Sequence, residues 1–293
     1  MKCDRCSREA IIYQRYSGLH LCESHFQDTL VARAKRTIRA HGWIQTGDRI
    51  AIALSGGMSS SSLLHFLSVH FGMRRDLSLV AITVDEGTGP CRDMGRIKRT
   101  AEGMGVGWAG TSFAEEFGIT PEMGNGHIPG SCRGILRGHA LTSLASRVGA
   151  TKLALGTNLD DEAGSVLQTV LRGEAAGLMC HPRLGNGRIP LVRPFLRIPG
   201  QEVALYALLN VPGPVQEVGP HAPDKQGSET WRILAEYTNR HPAAPFSLVH
   251  LSEALSEMEG HTSREPYICE RCSGPCVPSC PARGILDQVT GHG

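Results

Sequence analysis

Through the middle of the chain, short apolar runs break into glycine or acidic residues and give way to segments of helical period. Arg49-Ile-Ala-Ile-Ala-Leu54 is too short for a stable helix and apolar on both alternations, the pattern of a strand buried on both faces. It breaks at Ser55-Gly56-Gly57, and the stretch from Met58 to Leu67 continues with helical spacing. A second run, from Leu77 to Val84, ends in Asp85-Glu86-Gly87, and a helical segment follows around Arg92 to Met104. A third, from Lys152 to Gly156, ends in Thr157-Asn158-Leu159-Asp160-Asp161-Glu162. The helix predicted next covers Glu162 to Leu171, with Val166, Leu167, Val170 and Leu171 on one face. Strands alternating with helices predict an α/β fold: a doubly wound, Rossmann-like parallel sheet with its ligand at the carboxyl ends of the strands. Further on, Pro212, Pro214, Pro220 and Pro223 predict an irregular connection, and a helix is expected from Ser228 to Arg240.

The two ends read differently. Cys3-x-x-Cys6 and Cys22-x-x-His25 each hold two ligands at the spacing of a tight turn. Ile11-Ile12-Tyr13 and Leu19-His20-Leu21, around Ser17-Gly18, predict a hairpin that brings the pairs together into a tetrahedral zinc shell. At the other end stand Cys269-x-x-Cys272, Cys276 and Cys280, among Gly274, Pro275 and Pro278. So short a stretch, rich in glycine and proline, has little core of its own, and a second structural zinc is expected there. Neither group leaves an open coordination position. The chain is therefore divided into an N-terminal zinc knuckle (1–28), an α/β domain with C-terminal helices (29–262) and a C-terminal zinc knuckle (263–293).

Composition changes this picture little. The 293 residues, 41% hydrophobic, suffice for one sizeable core with small accessory modules. A net charge of +2 offers no global attraction for nucleic acid, so RNA contact would rest on local patches, with Arg183, Arg188, Arg193 and Arg197 as candidates. No apolar run is long enough for a membrane span and the N-terminus is polar, so a cytoplasmic protein without membrane association is expected.

The candidate chemistry lies at three strand ends. A strand, a glycine turn and a helix N-terminus in succession make an anion site, because the backbone can approach a phosphate and unpaired amides point at it. Ser55, Gly56, Gly57, Ser59 and Ser60 form that candidate loop, and an ordinary strand-to-helix turn would use the same glycines. Asp85, Gly156 and Asp160 complete the candidate ligand-binding set. The Asp160-Asp161 pair suits magnesium beside phosphate, or simply caps a helix. Cys132 precedes Arg133 and Arg137, cations that favour a thiolate, although an inert thiol fits the sequence equally.

The Ser-Gly-Gly turn, Val84-Asp85-Glu86-Gly87, the run from Gly156 to Ala163 and the cysteine knuckles together resemble the tRNA 2-thiouridine synthetases. These are PP-loop ATP pyrophosphatases related to the eukaryotic cytoplasmic tRNA 2-thiolation proteins. Arg193-Pro194-Phe195 and the stretch from Glu202 to Tyr206 extend the resemblance over nearly the whole chain. It implies an ATP-dependent sulfurtransferase that adenylates the C2 oxygen of a tRNA uridine, after which sulfur displaces AMP. It further implies Mg2+, a ubiquitin-like sulfur carrier, tRNA as partner and a homodimer; Asp161, Arg137 and Cys132 are the candidate catalytic residues, Cys132 standing at a position that varies in the family. The chain departs from the family in two places. Ser59 stands where the phosphate loop has an acid, and Gly130, Arg133 and Gly219 stand where three cysteines hold an iron–sulfur cluster, which argues against a cluster here. The alternative is a non-catalytic or substrate-switched paralogue that keeps nucleotide and zinc binding.

Overall fold

The computed structural model describes residues 1–87, 93–119, 130–173, 189–212, 229–259, 267–268 and 275–276. It opens with the expected hairpin: β1 (Ile12–Gln14) runs antiparallel to β2 (Leu19–Leu21), with Ile12 opposite Leu21. Gly18 in the turn has φ 71°, a left-handed position that costs glycine no Cβ clash. A long helix, α1 (Glu23–Ala40), follows and buries Phe26, Leu30, Ala34, Thr37 and Ile38 along one stripe.

The central sheet takes β3 (Arg49–Ala53), β4 (Ser78–Asp85), β5 (Gly107–Ser112), β6 (Lys152–Ala154) and β7 (Leu191–Val192) in the spatial order β5-β4-β3-β6-β7. All its pairings are parallel. The connections carry α2 (Met58–Phe71), α3 (Met94–Gly103), the short α4 (Phe113–Phe117), α5 (Gly130–Arg147) and α6 (Leu159–Leu171). After β7 come α7 (Gly200–Asn210), α8 (Glu229–Arg240) and α9 (Ala244–Glu259). Two-residue strands β8 (Tyr267–Ile268) and β9 (Pro275–Cys276) pair antiparallel near the end.

The apolar run of β3 serves both faces of this sheet. Ile50 and Ile52 join Phe26, Leu63, Phe66 and Phe195 in one core, while Ala51 joins Ile82, Val84, Leu153, Phe113, Leu136 and Leu144 in the other. Alternation of period two forces that division, and each fully buried isoleucine contributes about 1.5–3 kcal/mol. Helices cover both faces, which is the doubly wound arrangement expected. The chain leaves β3 for β4 on one side and later returns to β6 on the other. That reversal opens a crevice beyond the carboxyl ends of β3 and β6.

A third cluster, Leu159, Ala163, Leu196, Leu234 and Val249, docks α8 and α9 on α6. Gly164 seats the contact, since a Cβ there would run into the Trp231 ring. The last turn of α6 extends beyond this seat. Val170 and Leu171, expected on its apolar face, are 43% and 60% exposed as a result, whereas Val166 is buried. Among the described residues, no helix is long and apolar enough to cross a membrane. Cys91, Cys180, Arg183, Arg188, Gly219, Cys269, Cys272 and Cys280 lie outside the described residues, as do the side chains of Cys132 and Cys276.

Candidate nucleotide site and metal cluster

The glycine loop joins β3 to α2 and is braced by its own serines. The Ser55 and Ser60 hydroxyls lie 3.0 Å apart, the Ser55 amide donates to Ser60 Oγ at 3.2 Å, and Ser60 Oγ donates to the Gly57 carbonyl at 3.0 Å. Gly56 has φ 80°, which turns the chain sharply out of the strand. A Cβ there would also meet Ile97 of α3 at 3.1 Å. Gly57 caps α2 without a side-chain hydrogen bond to the first turn. The amides of that turn and the positive end of the helix dipole therefore face the crevice, an arrangement that favours an anion.

From the other side of the topological switch, β6 delivers Gly156 onto this loop. A Cβ at Gly156 would stand 2.7 Å from the Ser59 carbonyl oxygen and 3.1 Å from the Ser60 amide nitrogen. Only glycine allows so close an approach of two backbones. Asn158 then caps α6, accepting from the Asp160 and Asp161 amides at 3.0 Å each, while Asp161 Oδ2 accepts from the Asn158 amide at 3.2 Å. This reciprocal box starts the helix at Leu159 rather than at Glu162, where apolar spacing alone would begin it.

The structure divides the acidic pair. Asp161 lines the crevice beside Gly156 and Thr157. Asp160 turns the other way, and its Oδ2 accepts from the Gly200 amide at the start of α7, at 2.9 Å. Burial, together with the neighbouring Asp161 charge, raises the Asp160 pKa against the lowering effect of that amide. Asp85 also spends one oxygen locally, Oδ1 accepting from the Gly87 amide at 3.0 Å.

The crevice is a cavity of about 330 Å³. Its lining combines the polar Ser55, Ser59, Ser60, Thr157 and Asp161 with the apolar Ala53, Ile82, Val84, Leu141 and Leu155. Its volume lies at the small end of the range for ligand pockets. Arg137 enters from α5, paired through Nε with the buried Glu86 Oε1 at 2.9 Å. Sequence reasoning includes Glu86 only as part of a motif; its place directly after the acidic end of β4 is the signal that it belongs to the site. Cys132 falls in the first turn of the same helix. Of the arginines suggested for RNA, Arg193 is buried and bonded to Glu162 Oε2 at 2.8 Å, and Arg197 pairs with Glu253. Arg193 therefore fixes the core and lines no groove.

The N-terminal ligand set also converges. Cys3 Sγ lies 3.4 Å from His25 Nδ1, Cys22 Sγ 3.5 Å from the same nitrogen, and Cys6 Sγ 3.6 Å from Cys22 Sγ. All four ligand atoms fall within 4.8 Å of one another. Metal–ligand bonds of about 2.0–2.3 Å in a tetrahedron give edges of about 3.5–3.8 Å, so these atoms fit one metal ion. Desolvation opposes a charged Cys3, but hydrogen bonds from the Cys22 and Arg5 backbone, and from His25 and Cys22 side chains, bring its thiol to about 6. A thiol of that kind is ready to ligate as thiolate.

Comparison with known proteins agrees with this geometry. The model of the "2-thiouridine synthetase TtuA, N-terminal LIM domain" matches residues 2–27, and that of the "PP-loop domain" matches residues 26–210. The tRNA 2-thiolation protein NcsA of Haloferax volcanii is 31% identical over 93% of this chain and 94% of its own. Cytoplasmic tRNA 2-thiolation protein 1 of Bos taurus is 30% identical over 98% of this chain and 88% of its own. Among solved structures, the U34-tRNA thiolase NcsA of Methanococcus maripaludis, determined with its 4Fe–4S cluster, superposes with a TM-score of 0.76. That match is 24% identical and covers 95% of this chain and 94% of the other, a likeness of fold. With its glycine loop, parallel sheet and N-terminal cysteine–histidine cluster in place, the chain belongs to the tRNA 2-thiolation family of PP-loop proteins.

Proposed function

We propose that this chain adenylates a tRNA uridine at the C2 oxygen with ATP, so that sulfur can replace that oxygen. The observation that carries the reading is the contact of Gly156 with the Ser59–Ser60 backbone, which sets phosphate loop, acid and arginine around one cavity. In the first step the uridine oxygen attacks the α-phosphorus and pyrophosphate leaves. In the second a sulfur nucleophile attacks C2 and AMP leaves. Amides of the α2 N-terminus and the Ser55, Ser59 and Ser60 hydroxyls hold the polyphosphate, and the apolar lining residues take the base. Mg2+ would be held by Asp161 together with the phosphates, and would neutralise charge on the leaving pyrophosphate. The Ser59 hydroxyl serves as a phosphate donor in this scheme rather than as a metal ligand. Asp85 and Asp160 act one layer behind, through their backbone hydrogen bonds. Arg137, oriented by Glu86, stabilises the negative charge that develops at the reacting phosphate.

Zinc suits the set of three thiolates and one imidazole in the N-terminal module, where it acts structurally. The C-terminal cysteines are assigned a second zinc, and the three-part domain division follows from both modules. Residues at the cluster positions do not fit an iron–sulfur cluster: the first turn of α5 offers Gly130 and an Arg133 guanidinium instead of two thiolates. No step here passes through one. A ubiquitin-like carrier would supply the sulfur nucleophile: its thiocarboxylate sulfur attacks C2 as AMP leaves. Water then cleaves the acyl–sulfur bond to give thiouridine and the carrier's carboxylate, with Cys132 as the candidate nucleophilic thiol to take the acyl group before water does. A cytoplasmic location and a homodimer complete the reading, the former supported by the name of the bovine relative.

Titration calorimetry with Mg–ATP on the metal-loaded chain tests the nucleotide site. Wild type should bind and Gly57→Arg, which fills the loop, should not. A wild type that fails to bind at millimolar ATP, or a variant that binds equally well, would remove the adenylation mechanism.

A further inference from the structure

The helix α7 (Gly200–Asn210) bonds to the phosphate-loop helix α2 and to Asp160, and lines none of the crevice. Ser62 of α2, two residues beyond the phosphate loop, donates to the Val203 carbonyl at 3.0 Å, and His65 Nδ1 lies 3.0 Å from the Tyr206 hydroxyl. The Gly200 amide, at the first residue of α7, holds Asp160 next to the crevice acid Asp161. Between these attachments sits Glu202, fully buried.

Its partners come from the N-terminal hairpin and from α1. The Tyr16 hydroxyl, in the turn between β1 and β2, donates to Glu202 Oε1 at 2.6 Å. Arg33 of α1 approaches Glu202 Oε2 at 3.8 Å, and its guanidinium carbon lies 4.8 Å from the centre of the Tyr16 ring. A carboxylate buried in this way costs the fold heavily unless it is compensated, so the position of α7 depends on Tyr16 and Arg33 together with Gln14 of β1, whose side chain also stabilises the charged Glu202. We infer that Glu202 is a positioning residue for the nucleotide site: Tyr16 and Arg33 fix its place, and through Gly200 and Asp160 it sets Asp161 against the phosphate loop. The hairpin that carries the Cys3, Cys6 and Cys22 ligands is then a working part of the ATP site rather than an appendage. Electrostatics follow the same path. Burial raises the Glu202 pKa, with Asp160 adding to the effect while Tyr16 and Arg33 oppose it, and Asp160 in turn feels Asp161.

This inference rests on the nucleotide reading above, and a double-mutant cycle separates the two. Mg–ATP affinity is measured by calorimetry on the full metal-loaded chain for Tyr16→Phe, Asp160→Asn and the double variant. Val106→Ala, a core truncation away from this path, serves as the stability control. Tyr16→Phe should weaken Mg–ATP binding about tenfold and should cost nothing further in the Asp160→Asn background. Val106→Ala should bind ATP as wild type does, although it melts earlier. Should Tyr16→Phe not fold, Arg33→Gln carries the same expectation from the α1 side. Wild-type affinity in Tyr16→Phe, or losses that simply add in the double variant, would overturn the inference while leaving the nucleotide site intact. If Gly57→Arg binds ATP normally, or wild type does not bind, the nucleotide reading fails first and takes this one with it.

Discussion

At Gly156 two backbones approach so closely that a single methyl group has nowhere to go. Gly156→Ala must push the Ser59–Ser60 backbone out of place, at a cost of about 1–3 kcal/mol by the usual measure of overpacking. Calorimetry should therefore show Mg–ATP affinity falling by about tenfold or more in a chain that still folds, and unchanged affinity would mean that the loop does not hold nucleotide. Arg137→Ala tests the chemical step. Single-turnover AMP release should slow by about a hundredfold, with a smaller loss in ATP affinity, if the guanidinium meets charge that develops only in the transition state. Strand ends in the sequence point to Ser55, Ser59, Ser60, Gly156 and Asp161, all of which line the crevice, but not to how adjacent residues divide. Asp160 and Asp161 are adjacent and chemically identical, and only the cap at Asn158 turns one to Gly200 and leaves the other in the crevice. Glu86 and Glu202 escape assignment from sequence because a buried carboxylate acquires its meaning from partners distant in the chain, here Arg137 and Tyr16.

Among the elements, the strands with continuous apolar runs are legible in the sequence and the edges are not. β5 reads Gly-Trp-Ala-Gly-Thr-Ser, too polar and glycine-rich to announce a strand, and it holds its place by pairing along one side with β4. β7 has only two residues. The stripe of α1 is present in the sequence, but the cysteine and histidine ligands at its start suggest a separate knuckle. In the structure α1 grows directly from the cluster, with Cys22 at its N-cap. Metal removal by Cys6→Ser should thus destabilise more than the hairpin, and the melting temperature of the whole α/β domain should fall. A domain transition unchanged by metal loss would show that the module is independent. The docking of α9 carries a pH dependence. His41 stacks on Trp43 at 4.2 Å between ring centres and meets Glu253 at 3.5 Å, and this carboxylate holds the His41 pKa above the ordinary value. The contribution of His41 is complete below about pH 6 and is lost as pH rises through the folded value. His41→Gln should accordingly lower the melting temperature more at about pH 6 than at alkaline pH, where only the stack on Trp43 and the local hydrogen bond are lost.

For the whole molecule, topology does most of the functional work. The strand order reverses between β3 and β6, so the phosphate loop and the Gly156–Asp161 segment, far apart along the chain, face each other across one crevice. Alternating strands and helices make that arrangement predictable, because parallel strands need crossovers and crossovers cover both faces. What alternation cannot supply is α7, which ties the metal module, the phosphate helix and the acid together through single hydrogen bonds. Adenylation of tRNA by this assembly is tested most directly by following AMP from α-labelled ATP and pyrophosphate from γ-labelled ATP, with and without tRNA and a sulfide donor. Pyrophosphate release should require tRNA, AMP release should require sulfide as well, and the recovered tRNA should contain 2-thiouridine. Binding of ATP without any tRNA-dependent release would contradict adenylation and leave a nucleotide-binding protein that has lost the reaction.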